Sequence, residues 1–178
     1  MGEGETAMNI TIASFDRATE ILRSLRARDI THVVSIGDPG HPMPEWLERH
    51  HASKLRLEFH DTSLTSGALV PPNAAHVQRV VDFAASMREE SVVLTHCVGG
   101  ISRSSAAALI IMASRLDASA ENAARVMDEL VKIKWSVMPN ELMVWVADTE
   151  VLGWGGMLHA AYRRRFKAGT AALFPVEE

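Results

Sequence analysis

Apolar positions along the chain follow two rhythms, and the points where the rhythm changes divide it into alternating strands and helices. Met8 to Ala13 alternates weakly and predicts a first strand, after which Ser14 caps a helix predicted to reach about Arg28, with Ala18, Ile21, Leu22 and Leu25 on one face. Ile30 to Ile36 reads as a second strand, and Gly37 to Pro44 is a loop dense in turn formers. Trp46 and Leu47 then cover the core from a short helix. Lys54 to Phe59 alternates polar with apolar, the mark of a half-buried strand, and feeds a long loop from His60 to Pro72. Ala74 to Met87 is helical, with Val77, Val80, Val81 and Ala84 as its apolar stripe. Val92 to His96 is an uncharged, β-branched run without alternation, as in a strand buried on both faces.

Two glycines interrupt that run before an Ala-rich helix through Ile111. Asp117 to Glu121 marks a break and restart, with Asp117 or Ser119 as cap, and the next helix carries Ala123, Ala124, Val126, Met127, Leu130 and Val131. The succession of strand and helix predicts a single α/β domain over residues 1–178, with about 1–7 and 168–178 as flexible ends. The basic stretch Tyr162 to Lys167 reads as a solvated helix end.

Composition narrows the class. The chain has 178 residues, 47% of them hydrophobic and 22% charged, enough for one sizeable core. Its formal net charge of -4 argues against a general nucleic-acid binder. A single cysteine excludes an intramolecular disulfide and suits a reducing compartment. Met1 to Thr6 lacks the basic start and apolar run of a secretory signal, and no apolar run approaches the roughly 18 residues of a membrane span. The expected location is the cytoplasm. His50 and His51 lack a third ligand at helical spacing and read as a solvated pair rather than a metal site.

The chemistry concentrates between the last strand and the Ala-rich helix, in His96-Cys97-Val98-Gly99-Gly100-Ile101-Ser102-Arg103-Ser104. Gly99 and Gly100 let the backbone curl so that successive N–H groups point inward, and the helix starting near Ser102 adds its own free N–H groups and positive dipole end. That field favours a thiolate at Cys97. Arg103 grips two oxygens of one anion with its planar fork. A nucleophile, an oxyanion cradle and a bidentate clamp thus fall within seven consecutive residues.

This stretch resembles the signature of the cysteine-dependent protein tyrosine phosphatases: His-Cys, five residues, then Arg and Ser or Thr. The resemblance covers about residues 28 to 150 and is strongest around Cys97. It implies a mixed, mainly parallel sheet flanked by helices, with the phosphate-binding loop at the C-terminal edge of the strands. It also implies that Cys97 attacks phosphorus and that Val98, Gly99, Gly100, Ile101, Ser102 and Arg103 hold the phosphate oxygens. Ser104 would ease thiolate departure, His96 would brace the loop, and Asn140, in Lys134-Trp135-Ser136-Val137-Met138-Pro139-Asn140, would support it from outside. An ordinary helix cap is an equal and compatible reading of Asn140.

The family's general acid is an aspartate on a loop a few tens of residues before the cysteine, and Asp61 matches in order and context. An N-cap or turn role is the plainer reading of that residue, His60 is a second candidate for proton transfer, and Asp38, in Gly37-Asp38-Pro39-Gly40, reads first as turn chemistry. No metal and no cofactor are implied, because backbone dipoles and Arg103 already match the phosphate charge. The position of the acid before the cysteine separates the chain from low-molecular-weight tyrosine phosphatases, and the five-residue spacing from rhodanese-like sulfurtransferases. The uncharged Val98 to Ile101 stretch differs from inositol-lipid phosphatases. Compact dual-specificity phosphatases fit best, which implies a phosphorylated protein as substrate and an aryl or alkyl phosphate ester as the bond cut. The alternatives are a non-protein phosphomonoester such as a phosphoinositide or nucleotide, and a phosphate-binding pseudophosphatase.

Overall fold

The computed structural model describes residues 8–65 and 67–170. Its centre is a sheet of β1 (Asn9–Ala13), β2 (His32–Gly37), β3 (Ser53–Glu58) and β4 (Val92–His96), in the spatial order β1-β4-β2-β3. Each described pairing is parallel, including the pairs on either side of β4, so the mainly parallel sheet expected from the sequence has no antiparallel member among the described residues. Parallel strands need crossovers, and these are supplied by α1 (Phe15–Arg23), α2 (Glu45–Glu48) and α3 (Ala74–Ala85). After β4 come α4 (Arg103–Ala113), α5 (Ala120–Ile133), α6 (Glu141–Val146), a π-helical turn at Ala147–Val151, and α7 (Met157–Phe166).

Alternation along the strands sends neighbours to opposite faces, and two cores result. Val33, Leu94 and Ala13 pack with Ala18, Leu22 and Leu47 beneath α1 and α2. Val34, Val93 and Ile12 face the larger core with α3 to α7. At the middle of that core lies α4, buried along its length except at Met112, which explains an Ala-rich sequence with no polar face. Each of Leu109, Ile110 and Ile111 is fully buried and contributes about 1.5–3 kcal/mol relative to exposure. The helix that follows the cysteine is therefore anchored on all sides.

Two expectations about helix ends are corrected. The first helix does not run to Arg28. Ser24 stops it at Arg23, donating its hydroxyl to Ile21 O at 2.7 Å and accepting Arg26 N–H at 3.2 Å to start a 3-10 turn, Leu25–Asp29. Leu25 is consequently 79% exposed rather than on a buried stripe. At the other end, Tyr162 is core, not solvated, and Arg163 is drawn in by Glu141 at 2.7 Å. Residues 1–7 and 171–178 lie outside the described residues, while Ala168–Thr170 form a turn closed by Arg163 Nη2 donating to Thr170 O at 2.6 Å.

Candidate active site

Because β2, β3 and β4 run the same way, the loops that follow them emerge at one edge, and those loops begin with Asp38, with Phe59-His60-Asp61 and with Cys97. Three candidate residues far apart in sequence meet for this reason alone.

The loop from Cys97 to Ser102 is tied by its carbonyls. Val98 O accepts from Phe15 N at 3.1 Å, Ile101 O from Met138 N at 3.0 Å and Ser102 O from Asn140 N at 3.2 Å. Gly100 O takes Lys134 Nζ at 2.5 Å, and the Ser105 hydroxyl bonds the carbonyls of Ile101 and Ser102. Across a trans peptide the N–H points opposite to the C=O, so the amides of Gly99, Ile101, Ser102 and Arg103 turn to the other side of the loop. Gly100 N shows the direction, donating to Cys97 Sγ at 3.2 Å. Ser104 Oγ lies 3.3 Å from the same sulfur. Gly100 has φ +68°, and a Cβ there would collide with the backbone of Ala13 and Ser14, so only glycine closes the loop this tightly.

Arg103 begins α4 and is 4% exposed. Its Nη1 donates to Asp38 Oδ1 and to Phe59 O, both at 2.7 Å, which pins one edge of the guanidinium to the loops after β2 and β3. Its Nε is buried without a hydrogen-bond partner. A desolvated donor of this kind calls for an acceptor, such as an oxyanion. Asp38, read first as a turn residue, does both jobs: its carbonyl accepts His41 N at 3.1 Å while its carboxylate orients Arg103.

Asp61 reaches across to the cysteine loop. Its Oδ1 accepts Ser102 Oγ–H at 2.6 Å and Asn140 Nδ2–H at 3.0 Å, leaving Oδ2 without a hydrogen bond among the described residues. Asn140 also donates to Thr62 O at 3.2 Å and accepts Met143 N–H at 3.1 Å, so it caps α6 and holds the Asp61 loop with one side chain. His60 is occupied differently: its backbone N–H donates to Val70 O at 2.8 Å and its ring Nδ1 accepts Val70 N–H at 2.9 Å. Backbone and ring together clasp the two ends of the long loop.

His96 is buried between Phe15 and Trp46, with ring centroids at 6.2 and 5.7 Å, and neither ring nitrogen has a hydrogen-bond partner. Burial, then the charge of Arg56, pushes its pKa down to about 4, with the Cys97 backbone pulling the other way. It supports the loop by packing as a neutral ring. Arg56 stands beside Gly37, where a Cβ would collide with the guanidinium, and bonds Ser35 Oγ at 2.9 Å and His41 O at 2.7 Å.

Behind Asn140 a polar cluster fastens the C-terminal helices. Buried Glu141 meets His159 Nε2 at 3.1 Å and Arg163 Nη1 at 2.7 Å, and Tyr162 O–H donates to Pro139 O at 3.0 Å. Asp148 accepts the N–H groups of His159 at 2.6 Å and Gly156 at 3.1 Å. Burial pushes its carboxyl up and those bonds draw it back. A separate cavity of about 660 Å3 between α3, α4 and α5, lined by Val81, Met112, Leu116 and Val126 among others, contains none of the site residues.

The structure thus brings together Cys97, Arg103, Ser104, Asp61, Asn140 and the loop Val98 to Ser102, places His96 as their packing support, and gives His60 to loop closure. Sequence reasoning missed the Asp38 carboxylate, the Phe59 carbonyl, the Ser102 hydroxyl on Asp61 and Lys134 on Gly100 O. The available signal was that Asp38 directly follows a strand and Asp61 lies three residues after one. His50, expected to be solvated, is half-buried and tied by Nε2 to Ala27 O at 3.0 Å and by Nδ1 to Ala52 N at 3.1 Å.

No protein-family profile matches this sequence, and no curated protein does. Solved structures do match in fold. Human DUSP28 is 18% identical with TM-score 0.57, covering 88% of this chain and 97% of its own. DUSP15 is 20% identical with TM-score 0.54, covering 90% and 94%. PTPMT1 in complex with PI(5)P is 15% identical with TM-score 0.52, covering 90% and 96%. The fold on which Cys97, Arg103 and Asp61 are assembled is therefore that of the compact, dual-specificity type of cysteine-dependent phosphatase.

Proposed function

We propose that this protein is a cysteine-dependent phosphatase hydrolysing phosphotyrosine in proteins through a phosphocysteine intermediate. One observation carries the reading: Cys97 Sγ accepts the Gly100 N–H at 3.2 Å, while buried Arg103, its far edge pinned by Asp38, keeps Nε without a partner. The sulfur and the guanidinium then serve one ligand between them, a phosphoryl group whose equatorial oxygens bond Arg103 and the loop amides.

In the first step the Cys97 thiolate attacks phosphorus in line and the bond to the leaving oxygen breaks. Asp61 supplies the proton to that oxygen from Oδ2, its other oxygen being held by Ser102 and Asn140. In the second step Asp61 takes a proton from water, the water oxygen bonds phosphorus, and the S–P bond breaks with Ser104 Oγ stabilising the departing thiolate from 3.3 Å. No helix among the described residues is long and apolar enough to cross a membrane, which suits action on soluble phosphoproteins in the cytoplasm.

A second reading, a phosphoinositide phosphatase, draws support from the likeness to PTPMT1 in complex with PI(5)P. The two separate on substrates: a phosphotyrosine peptide, a phosphoserine peptide and an inositol phospholipid, each with chelator present and with Cys97→Ser as control. Fastest release of phosphate from the phosphotyrosine peptide is expected. Preference for the lipid would install the second reading, and no Cys97-dependent release from any of them would remove both.

A further inference from the structure

Every exposed large apolar side chain among the described residues, except Leu25, comes from a loop or helix start at the end of the sheet that carries Cys97. Hydrogen bonds place them around the site. Met138 N donates to Ile101 O at 3.0 Å, and Lys134 bonds Gly100 O, so Trp135 and Met138 stand against the cysteine loop, where Ile101 and Val98 are themselves exposed. On the other side, Asp61 is bonded to Ser102, and the loop it opens presents Leu64 and Leu69 before His60 and Val70 close it. Trp135 is 84% exposed and has no packing role in the monomer to account for it. Apolar exposure gathered in this way marks a contact surface.

The charges around this rim select its partner. The segments 60–70 and 97–102 contain no Lys or Arg, Arg103 is buried, and Lys134 spends its ammonium on Gly100 O. Lys132 and Arg17, close in sequence to Trp135 and Phe15, are each paired with a glutamate at 2.6 Å, so neither acidic flanking residues nor an anionic bilayer finds an unpaired cation there, and the chain as a whole carries -4. Whatever delivers a phosphoryl group to Cys97 must lie against these loops, because they adjoin the cysteine loop on two sides.

Resting on the phosphatase reading above, we infer that the substrate is a polypeptide whose phosphorylated residue is flanked by uncharged apolar side chains, which the rim of Trp135, Met138, Ile101, Leu64 and Leu69 covers from water. Two flanking side chains half-covered in this way raise kcat/KM by about tenfold over charged flanks.

The test uses two phosphotyrosine peptides identical except for Leu and Val, or Asp and Glu, at the positions next to the phosphotyrosine. Their hydrolysis and their binding are measured beside turnover of p-nitrophenyl phosphate, which has no flanks. The apolar peptide is expected to win about tenfold in both measurements. Trp135→Ala and Leu69→Ser are expected to bring the two peptides near parity while leaving p-nitrophenyl phosphate turnover within about twofold. Equal or reversed preference, or a preference that both variants leave intact, overturns the inference. Trp135-dependent sedimentation with phosphatidylcholine–phosphatidylserine vesicles would also overturn it, by giving the rim to a membrane. Absent turnover of p-nitrophenyl phosphate counts against the phosphatase reading alone, since peptide binding still reports on the rim.

Discussion

The loop from Cys97 to Arg103 and the loop from His60 to Val70 meet at one hydrogen bond, Ser102 to Asp61, but they are built on opposite plans. In the first, the cysteine, Arg103 and Ser104 are buried, four carbonyls are bonded outward, and α4 behind it is enclosed by the core. In the second, Asp61, Leu64 and Leu69 face solvent, and the clasp of His60 with Val70 and the reach of Asn140 hold the loop in place. An anion cradle gains from donors that need no reorganisation when charge arrives, so rigidity serves it. A proton donor must sit where a bulky leaving group enters and departs, so it belongs on an open loop held by a few polar bonds.

The strongest way to break this contrast is at the sulfur. Cys97→Ser should lower turnover by about 10^4-fold or more while phosphate binding, measured calorimetrically, stays within a few-fold, because the amides and Arg103 are untouched. Parallel loss of binding would mean that the cradle depends on the sulfur for its shape.

On the open loop, Asp61→Asn should reduce turnover of a phosphotyrosine peptide by about 10^2 to 10^4, the range of general acid catalysis, and far less for p-nitrophenyl phosphate, whose leaving group needs little protonation. Rates across a series of leaving groups check this. An equal fall for every leaving group would move the proton transfer elsewhere, with His60 and Asp38 next in line.

The rigid loop also has a pH signature. His96 is kept neutral in the folded protein by a pKa near 4, against about 6.5 when unfolded, so the unfolded chain binds its proton first. Stability is full above about pH 6.5 and falls as pH drops toward 4, by on the order of 3 kcal/mol from this residue. His32, His50 and His76 are shifted the same way by burial, so the readout is the difference between wild type and His96→Gln in urea midpoints across that window. Identical pH slopes would deny the packing role of His96.

The smallest effect lies where the two loops join. Asn140→Ala removes the α6 cap and the bonds to Asp61 and Thr62, and should cost about 1 kcal/mol in unfolding free energy. It should also lower turnover about tenfold for poor leaving groups while good ones change little. A stability loss without that selectivity would make Asn140 a cap alone.

What the residues along the chain announced was whatever depends on neighbours: the strand-to-helix loop at Cys97, the clamp at Arg103 six residues on, the cap at Ser14, and the buried run of β4. Local spacing suffices there because the N–H groups, the glycines and the helix start are all within one turn of chain. The alternating strands and helices likewise announced an α/β layer fold, since periodicity is set residue by residue. Tertiary structure alone decided that Asp38 would hold Arg103 from 65 residues away and that Asn140 would hold Asp61 from 79. It also turned Tyr162 inward, beneath Pro139, and left Trp135 out. A carboxylate or an indole has no local pattern to declare its partner. Its role is set by which strand ends beside which, and that follows from the parallel order β1-β4-β2-β3 of the whole sheet.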